Sequence, residues 1–408
     1  MTAADSRPDE TANARAQLLK IYAQCCKDRY ASFPRLAKDM LANGFAPPIV
    51  VFGTRGLGFA QQLDQIESIV RLNPGMRISA VVHEDSEPPS VHIDPIRDYP
   101  TLSATQFFSR AQEFAGCVVV DRTCTWHPGI RYKVKLKQNG FAFLRIEQFL
   151  NAPGLNVGAG YYREHSDLML ARFDDFLALE RLWADDHSAQ TYYYALAAFI
   201  SMNHEYFAFH CGDYSERYFP TDVGLDPNEA SILADCGSHD GQEALYFARS
   251  LKGKFRGLHA FEPNRMNYLS LCRNVNSYIV ESGATSIFCH EFGVYDRNAY
   301  LGFTGYGAGV TVTDSQGGDG SGMHVCRLDD MLDEMTHLRL EIEGAELAAL
   351  NGANGIIKRN RPKLIISAYH KATDFLDLTR FVEEIDLNYQ MRLRHQSLEP
   401  GVLCIYAV

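Results

Sequence analysis

No run of apolar residues in this chain reaches the ~18 that a membrane-crossing helix needs, and the opening Met1 to Arg15 is polar, without an apolar signal core. The expectation is a cytoplasmic protein with no membrane partner. Positive charge is also scarce, with 39 Lys and Arg against 50 Asp and Glu and a net charge of −11. Proteins that track nucleic-acid backbones need clustered cations to displace counterions, so nucleic acid is not expected as a partner. Cys-x-x-Cys pairs are missing, and the ten cysteines are scattered without ligand spacing. They read as reduced structural thiols. His204 and His210 lie near Cys211, but no second ligand pair accompanies them, and no metal centre is expected. Tyr-x-x-x-Lys does not occur, which removes the usual catalytic pair of short-chain dehydrogenases.

What is present is enough apolar material for two cores. At 408 residues and 46% hydrophobic, the chain exceeds the roughly 250–300 residues at which one core stops growing. The pattern divides it into N-terminal helices (1–45), a small Rossmann-like α/β domain (46–155), a helical connector (156–220) and a second α/β domain (221–408). In the first α/β domain, apolar runs Ile49 to Phe52, Ile78 to Val82 and Cys117 to Val120 alternate with helical patterns, which argues for a parallel sheet. Gly53, Gly56 and Gly58 follow the first strand as a nucleotide loop would, although their spacing departs from Gly-x-Gly-x-x-Gly. Glu84 and Asp85, after the second run, are candidates to grip a ribose or to be solvated strand ends. A nucleotide or nucleotide-sugar is thus a candidate ligand there.

The sharper signal comes later. Ser231 to Asp235 forms a short buried strand, Cys236 to Gly241 a loop, and Gln242 to about Leu251 a helix. The loop reads Asp-x-Gly-x-x-x-Gly, which alone also fits an ordinary strand-to-helix turn. In a ligand loop, Gly237 and Gly241 would let the backbone approach the bound molecule. The next strand, Gly257 to Phe261, ends in Glu262, whose carboxylate can accept both hydrogen bonds of a ribose diol and would repel a 2′-phosphate. That selects an adenosine-type cofactor over NADP. Candidate cofactor contacts are Asp235, Cys236, Gly237, Ser238, His239, Gly241, Glu262, Pro263 and Asn264, with His239 equally readable as a solvent-facing loop residue. The glycine-rich stretch Gly302 to Gly322 reads as a mobile loop near an acceptor pocket or a surface excursion.

From about Ile232 to Val408 the residues resemble the FkbM family of S-adenosylmethionine-dependent methyltransferases. The landmarks are Asp235 to Gly241, Ala260-Phe261-Glu262-Pro263-Asn264, Leu328 to Leu332, Leu340 to Glu346 with Leu350-Asn351-Gly352-Ala353, Arg361-Pro362-Lys363, Ser367 to His370, and Leu393-Arg394-His395. Where family members usually carry Lys and Asp, this chain has Arg339 and Glu341. The resemblance implies a seven-stranded Rossmann-like sheet closed by Tyr389 to Gln396 and Val402 to Val408, the last strand antiparallel and at or near an edge. It also implies S-adenosyl-L-methionine as cofactor and O-methylation of a hydroxyl on a sugar, glycan or polyketide-like small molecule.

Methyl transfer from a sulfonium needs alignment and a proton acceptor, so few catalytic groups are required. Glu341 and Glu343 straddle the end of the fourth strand, and alternation places both on one side. His370, near the end of the fifth, is the natural base as a neutral imidazole, a packed histidine being the competing reading. The paired glutamates are alternatively candidates to hold a divalent ion. Two other functions stay open: an NAD-dependent oxidoreductase or sugar-nucleotide enzyme centred on the first domain, and a non-catalytic cofactor-binding protein. A second copy of the chain is a candidate partner.

Overall fold

Successive residues of the first strand, β1 (Ile49–Phe52), pack to opposite sides, as the period of two requires. Ile49 and Val51 join Leu63, Ile66 and Ile69 of the helix Phe59–Leu72, while Val50 and Phe52 meet Phe107, Tyr132 and Leu136. A strand buried on both faces reads as a continuous apolar run, and this one does. With β2 (Ile78–His83), β3 (Thr101–Ser103), β4 (Val118–Asp121) and β5 (Ala142–Arg145) it makes an all-parallel sheet in the order β3-β2-β1-β4-β5. The two acids after β2 are both bonded within the chain: Glu84 accepts from Thr54 N, and Asp85 accepts from the backbone N and hydroxyl of Thr105.

The computed structural model describes residues 9–33, 47–54, 59–85, 99–123, 127–152, 161–304, 311–313, 322–385, 387–397 and 401–408. Gly56, Gly58 and most of the glycine-rich stretch (305–310 and 314–321) lie outside them. One compact unit is built on Ala16–Leu170 with Leu196–Ala208 and contains the sheet above. The other is built on Ala171–Ala195 and Phe209–Val408 with the described residues before position 16. The aromatic stretch from Tyr161 is helical, with Tyr161–Ala171, Phe173–Leu177 and Asp186–Ser201 as its α-helices.

The second unit contains a seven-stranded sheet. Its strands are β6 (Ile232–Cys236), β7 (Gly257–Phe261), β8 (Ile287–His290), β13 (His337–Leu340), β14 (Lys363–Ser367), β15 (Met391–His395) and β16 (Leu403–Ala407), in the order β15-β16-β14-β13-β6-β7-β8. β16 runs antiparallel to both neighbours, one strand in from the edge, and the other pairings are parallel. The helix Arg265–Ser282 is closed at both ends: the Asn264 side chain accepts from Met266 N and Asn267 N, and Gly283 follows in the left-handed conformation.

Between β8 and β13 the chain forms a smaller sheet from β9 (Gly293–Val294), β10 (Ala299–Thr304), β11 (Thr311–Thr313) and β12 (Gly322–Cys326). This corrects the reading of Gly302 to Gly322 as loop throughout, because both end glycines sit in paired strands, directly opposite each other. Among the described residues no helix is long and apolar enough to cross a membrane, and the cysteines form no disulfide.

Strand β15 is anchored by charge. The buried Arg394 guanidinium donates to both carboxylate oxygens of Asp185 and to Asp222, while Asp185 also accepts from Ser188 N at 2.7 Å in the first turn of the helix Asp186–Ser201. Partial burial works to raise the Asp185 pKa, but the bonds from Arg394 and Ser188 outweigh it and hold it well below the usual carboxylate range. A depressed folded-state pKa contributes stability that is present above the unfolded value of about 3.9 and is lost as pH falls through and below it. We therefore expect Asp185→Asn to lower urea stability at pH 7 by on the order of 2 kcal/mol, with the gap to wild type narrowing below about pH 4. A gap that stays constant with pH counts against this pairing.

Candidate active site

The central strands β6 and β13 are neighbours, and the connections from them lead to opposite sides of the sheet, to β7 and to β14. Ligands of parallel sheets gather in the crevice at such a reversal, beyond the carboxyl ends of the strands. In this crevice the acids are fixed by partners from the chain itself.

Sheet register places Arg339 of β13 directly beside Asp235 of β6, and the guanidinium Nη1 lies 2.6 Å from Asp235 Oδ1 with both side chains buried. Asp235 Oδ2 accepts from the Ser238 hydroxyl at 2.6 Å. Arg339 also stacks on the Tyr218 ring, 4.0 Å from its centroid, and the Tyr218 hydroxyl donates to Glu341 at 3.0 Å. The carboxylate of Asp235, a candidate cofactor contact, is enclosed in this ion pair. The Cys236 thiol is likewise fully buried, and desolvation pushes its pKa well up.

The loop after β6 is tied to β7, since the backbone N–H groups of Gly237 and Ser238 both donate to Phe261 O at 3.0 Å. Gly237 has φ +83, and a Cβ there would stand 1.8 Å from the Glu341 carbonyl oxygen. The close approach that demands glycine is thus to the chain's own backbone, not to a ligand as the spacing suggested. Gly241 caps the helix Gln242–Ser250 and faces Leu271.

Glu262, just past β7, is only 6% exposed, with Oε2 accepting from His239 N and Oε1 from Asn264 N, each at 2.8 Å. Two backbone donors therefore aim this carboxylate across the mouth of the β6 loop. Each oxygen keeps lone-pair capacity for a further donor. The His239 ring extends outward, near Asp240, and Asn264 spends its side chain on the helix cap, so both act at the crevice through backbone N–H groups. Pro263 packs near Gly293 of the small sheet.

On the β13 side, the sequence Glu341-Ile342-Glu343-Gly344-Ala345-Glu346 curls back on itself. Glu343 (φ +56) and Gly344 (φ +94) are both left-handed, and Ala345 N donates to Ile342 O across the turn. The turn, rather than strand alternation, brings the three glutamates together on one histidine. His370 Nε2 lies 3.2 Å from Glu341 Oε1 and 3.7 Å from Glu343 Oε2, and Nδ1 lies 2.9 Å from Glu346 Oε1. These are ion-pair distances without hydrogen-bond alignment, because neither ring nitrogen meets a partner along its bond direction.

Burial alone would lower the His370 pKa, but Glu346 and Glu341 outweigh it and raise it well above its ordinary value. Carboxylates stand against both ring nitrogens, so His370, expected as a neutral imidazole base, lies behind Glu341 and Glu343 as seen from the crevice. Glu341 also accepts from the hydroxyls of Tyr218, Ser367 and Tyr369. Burial works to raise its pKa, yet His370, Arg339 and Ser367 hold it at about 2. Glu343 differs: its side chain is half exposed, and desolvation with the nearby Glu341 and Glu346 raises its pKa against the pull of His370.

Several of these partners were not singled out in the sequence. Tyr218 lies 123 positions before Glu341 and Ser367 26 after it, and no local spacing connects them. Glu346 stands inside the strongest motif but carried no assigned role, and Asp374 had no signal beyond its place at a helix start.

The sheet order, the single antiparallel strand and the crevice between β6 and β13 define a methyltransferase-type Rossmann-like fold. Residues 235–391 match the family described as methyltransferase FkbM domain. A solved structure of methyltransferase FkbM from Methylobacillus flagellatus KT is similar over 98% of this chain and 100% of that one, at 25% identity and a TM-score of 0.77. An rRNA methylase from Streptococcus thermophilus is similar over 44% of this chain and 86% of that one, at 11% identity and a TM-score of 0.28. No protein of curated function matches the chain. The chain carries an FkbM methyltransferase domain and is a methyltransferase.

Truncating one partner of a buried ion pair strands the other charge. Arg339→Ala is expected to lower unfolding free energy by about 3–5 kcal/mol, and the double variant with Asp235→Ala to lose less than the sum of the two single changes. Additive losses in urea unfolding would show that the pair is not coupled.

Proposed function

We propose that this protein uses S-adenosyl-L-methionine to methylate a hydroxyl oxygen on a sugar, glycan or polyketide-like small molecule. The observation that carries the reading is Glu262. A carboxylate buried at the tip of the second strand, with each oxygen steadied by one backbone N–H, fits a vicinal diol presented at the loop Cys236 to Gly241. Glu262 would hold the ribose, and the loop backbone with the start of the helix Gln242–Ser250 would face the amino-acid end. Bound there, the cofactor supplies a methyl group already activated on a sulfonium.

The rest of the work falls to the far side of the crevice. As the acceptor oxygen forms its bond to the methyl carbon and the carbon–sulfur bond breaks, the hydroxyl proton must leave. Glu343 is placed to take it, since it is the half-exposed carboxylate at the β13 tip while Glu341 is occupied by three hydroxyls. His370 acts as a positioning residue, holding Glu341 and Glu343 from behind through Nε2. Tyr369, bonded to Glu341, stiffens the same wall.

A ligand selective for the native state stabilises it by mass action. S-adenosylmethionine or its demethylated product is expected to raise Tm, NAD is not, and Glu262→Ala is expected to remove most of the shift. Stabilisation by NAD alone would favour the oxidoreductase reading. Glu343→Gln keeps the side chain's shape but not its basicity, and its kcat on a responsive acceptor is expected to fall about 10²–10⁴-fold with the thermal shift retained. The assay is mass detection of methyl transfer to a panel of glycans and small alcohols, and an unchanged kcat removes Glu343 as the proton acceptor.

A further inference from the structure

His370 has two sides, and only one faces the crevice. On the Nδ1 side stands Glu346, and Asp374, which opens the helix Asp374–Glu384, belongs to the same cluster. One donor atom from each of Glu346, His370 and Asp374 lies within 4.8 Å of the other two, and the three residues are 1%, 3% and 5% exposed. Backbone donors satisfy part of this cluster: Ile342 N binds Glu346 Oε1 at 2.9 Å and Lys371 N binds Asp374 Oδ2 at 2.8 Å. Glu346 Oε2 and His370 Nδ1 remain buried without any hydrogen-bond partner. Enclosed polar atoms are expensive to leave unpaired, and two carboxylates beside one imidazole are short of positive charge.

We propose that Glu346, His370 and Asp374 form a buried binding site for one divalent transition-metal ion of the zinc or manganese class. The donor set selects the ion, since an imidazole nitrogen with two carboxylates suits zinc and manganese, whereas calcium and magnesium prefer all-oxygen shells. Metal–ligand bonds of about 2.0–2.2 Å place neighbouring ligand atoms roughly 3–3.5 Å apart. The 2.9 Å between His370 Nδ1 and Glu346 Oε1 is within a few tenths of an ångström of that spacing. Coordination through Nδ1 leaves Nε2–H on the side of Glu341 and Glu343, as in the carboxylate–histidine–metal arrangement that fixes a ligand's orientation. The ion takes the place of the Nδ1 proton, so His370 keeps its donor toward the crevice in either form. Because all three ligands are enclosed, the ion positions His370 and does not meet the acceptor.

The site goes beyond methyl transfer, and its test needs no substrate. The full-length protein is stripped with a chelator, and Zn²⁺, Mn²⁺, Mg²⁺ and Ca²⁺ are each added back while Tm and heat of binding are recorded. Zn²⁺ or Mn²⁺ is expected to bind at one ion per chain and to raise Tm above the stripped value, with Mg²⁺ and Ca²⁺ far weaker. Asp374→Asn and Glu346→Gln are each expected to weaken that binding by more than about tenfold. If the stripped wild type takes up none of the four ions stoichiometrically, the proposal is overturned, and His370 is then the imidazolium counter-charge to Glu346. Stoichiometric binding that both folded variants retain at full affinity overturns the assignment of these ligands. The wild-type measurement decides the matter even where a variant fails to fold.

Discussion

Four of the carboxylates beyond the parallel strands of the seven-stranded sheet are held by partners from the chain, and three of these are almost wholly enclosed, where an ionised acid without donors is destabilising by several kcal/mol. The chain supplies each with at least one donor of its own. Asp235 is held by Arg339 and Ser238, Glu262 by two backbone N–H groups, and Glu346 by Ile342 N with His370 alongside. Glu341, the least enclosed of the four, is held by three hydroxyls and His370. Satisfying buried charge in this way also fixes the orientation of every acid before a ligand arrives, which is the preorganisation that transfer chemistry depends on.

The donors link the two halves of the crevice. Asp235 on β6 reaches Glu341 beyond β13 through Arg339 and the Tyr218 ring, and the Gly237 backbone lies against the Glu341 carbonyl. A displacement of the β13 tip would therefore be felt in the Cys236 to Gly241 loop. Glu262 and Glu343 are placed on opposite sides of that connection. Glu262 suits a neutral diol, and Glu343, the exposed member of its cluster, suits a proton in transit.

What the sequence made legible follows from how local each signal is. β6 and β7 announce themselves as short apolar runs because both faces are buried, and the acid after β7 was readable from its place alone. The tight turn after β13 was visible in Glu341 to Glu346, but its consequence was not, since left-handed Glu343 breaks the alternation that a strand would impose. Pairings set by sheet register or chain return, such as Arg339 with Asp235 or Tyr218 with Glu341, have no signature along the chain. The need for glycine at 237 was legible, whereas its cause, a carbonyl 104 positions onward, was not. The small sheet was hidden because its glycines resemble loop composition, although Gly302 and Gly322 face each other across a strand pair.

The most direct test of this account is a crystal structure of the chain with S-adenosylhomocysteine. The ribose diol is expected on the Glu262 carboxylate, the amino-acid end over the Cys236 to Gly241 loop, and the sulfur turned toward Glu343. Ligand density elsewhere, or a Glu262 carboxylate that makes no contact with the ribose, would contradict it.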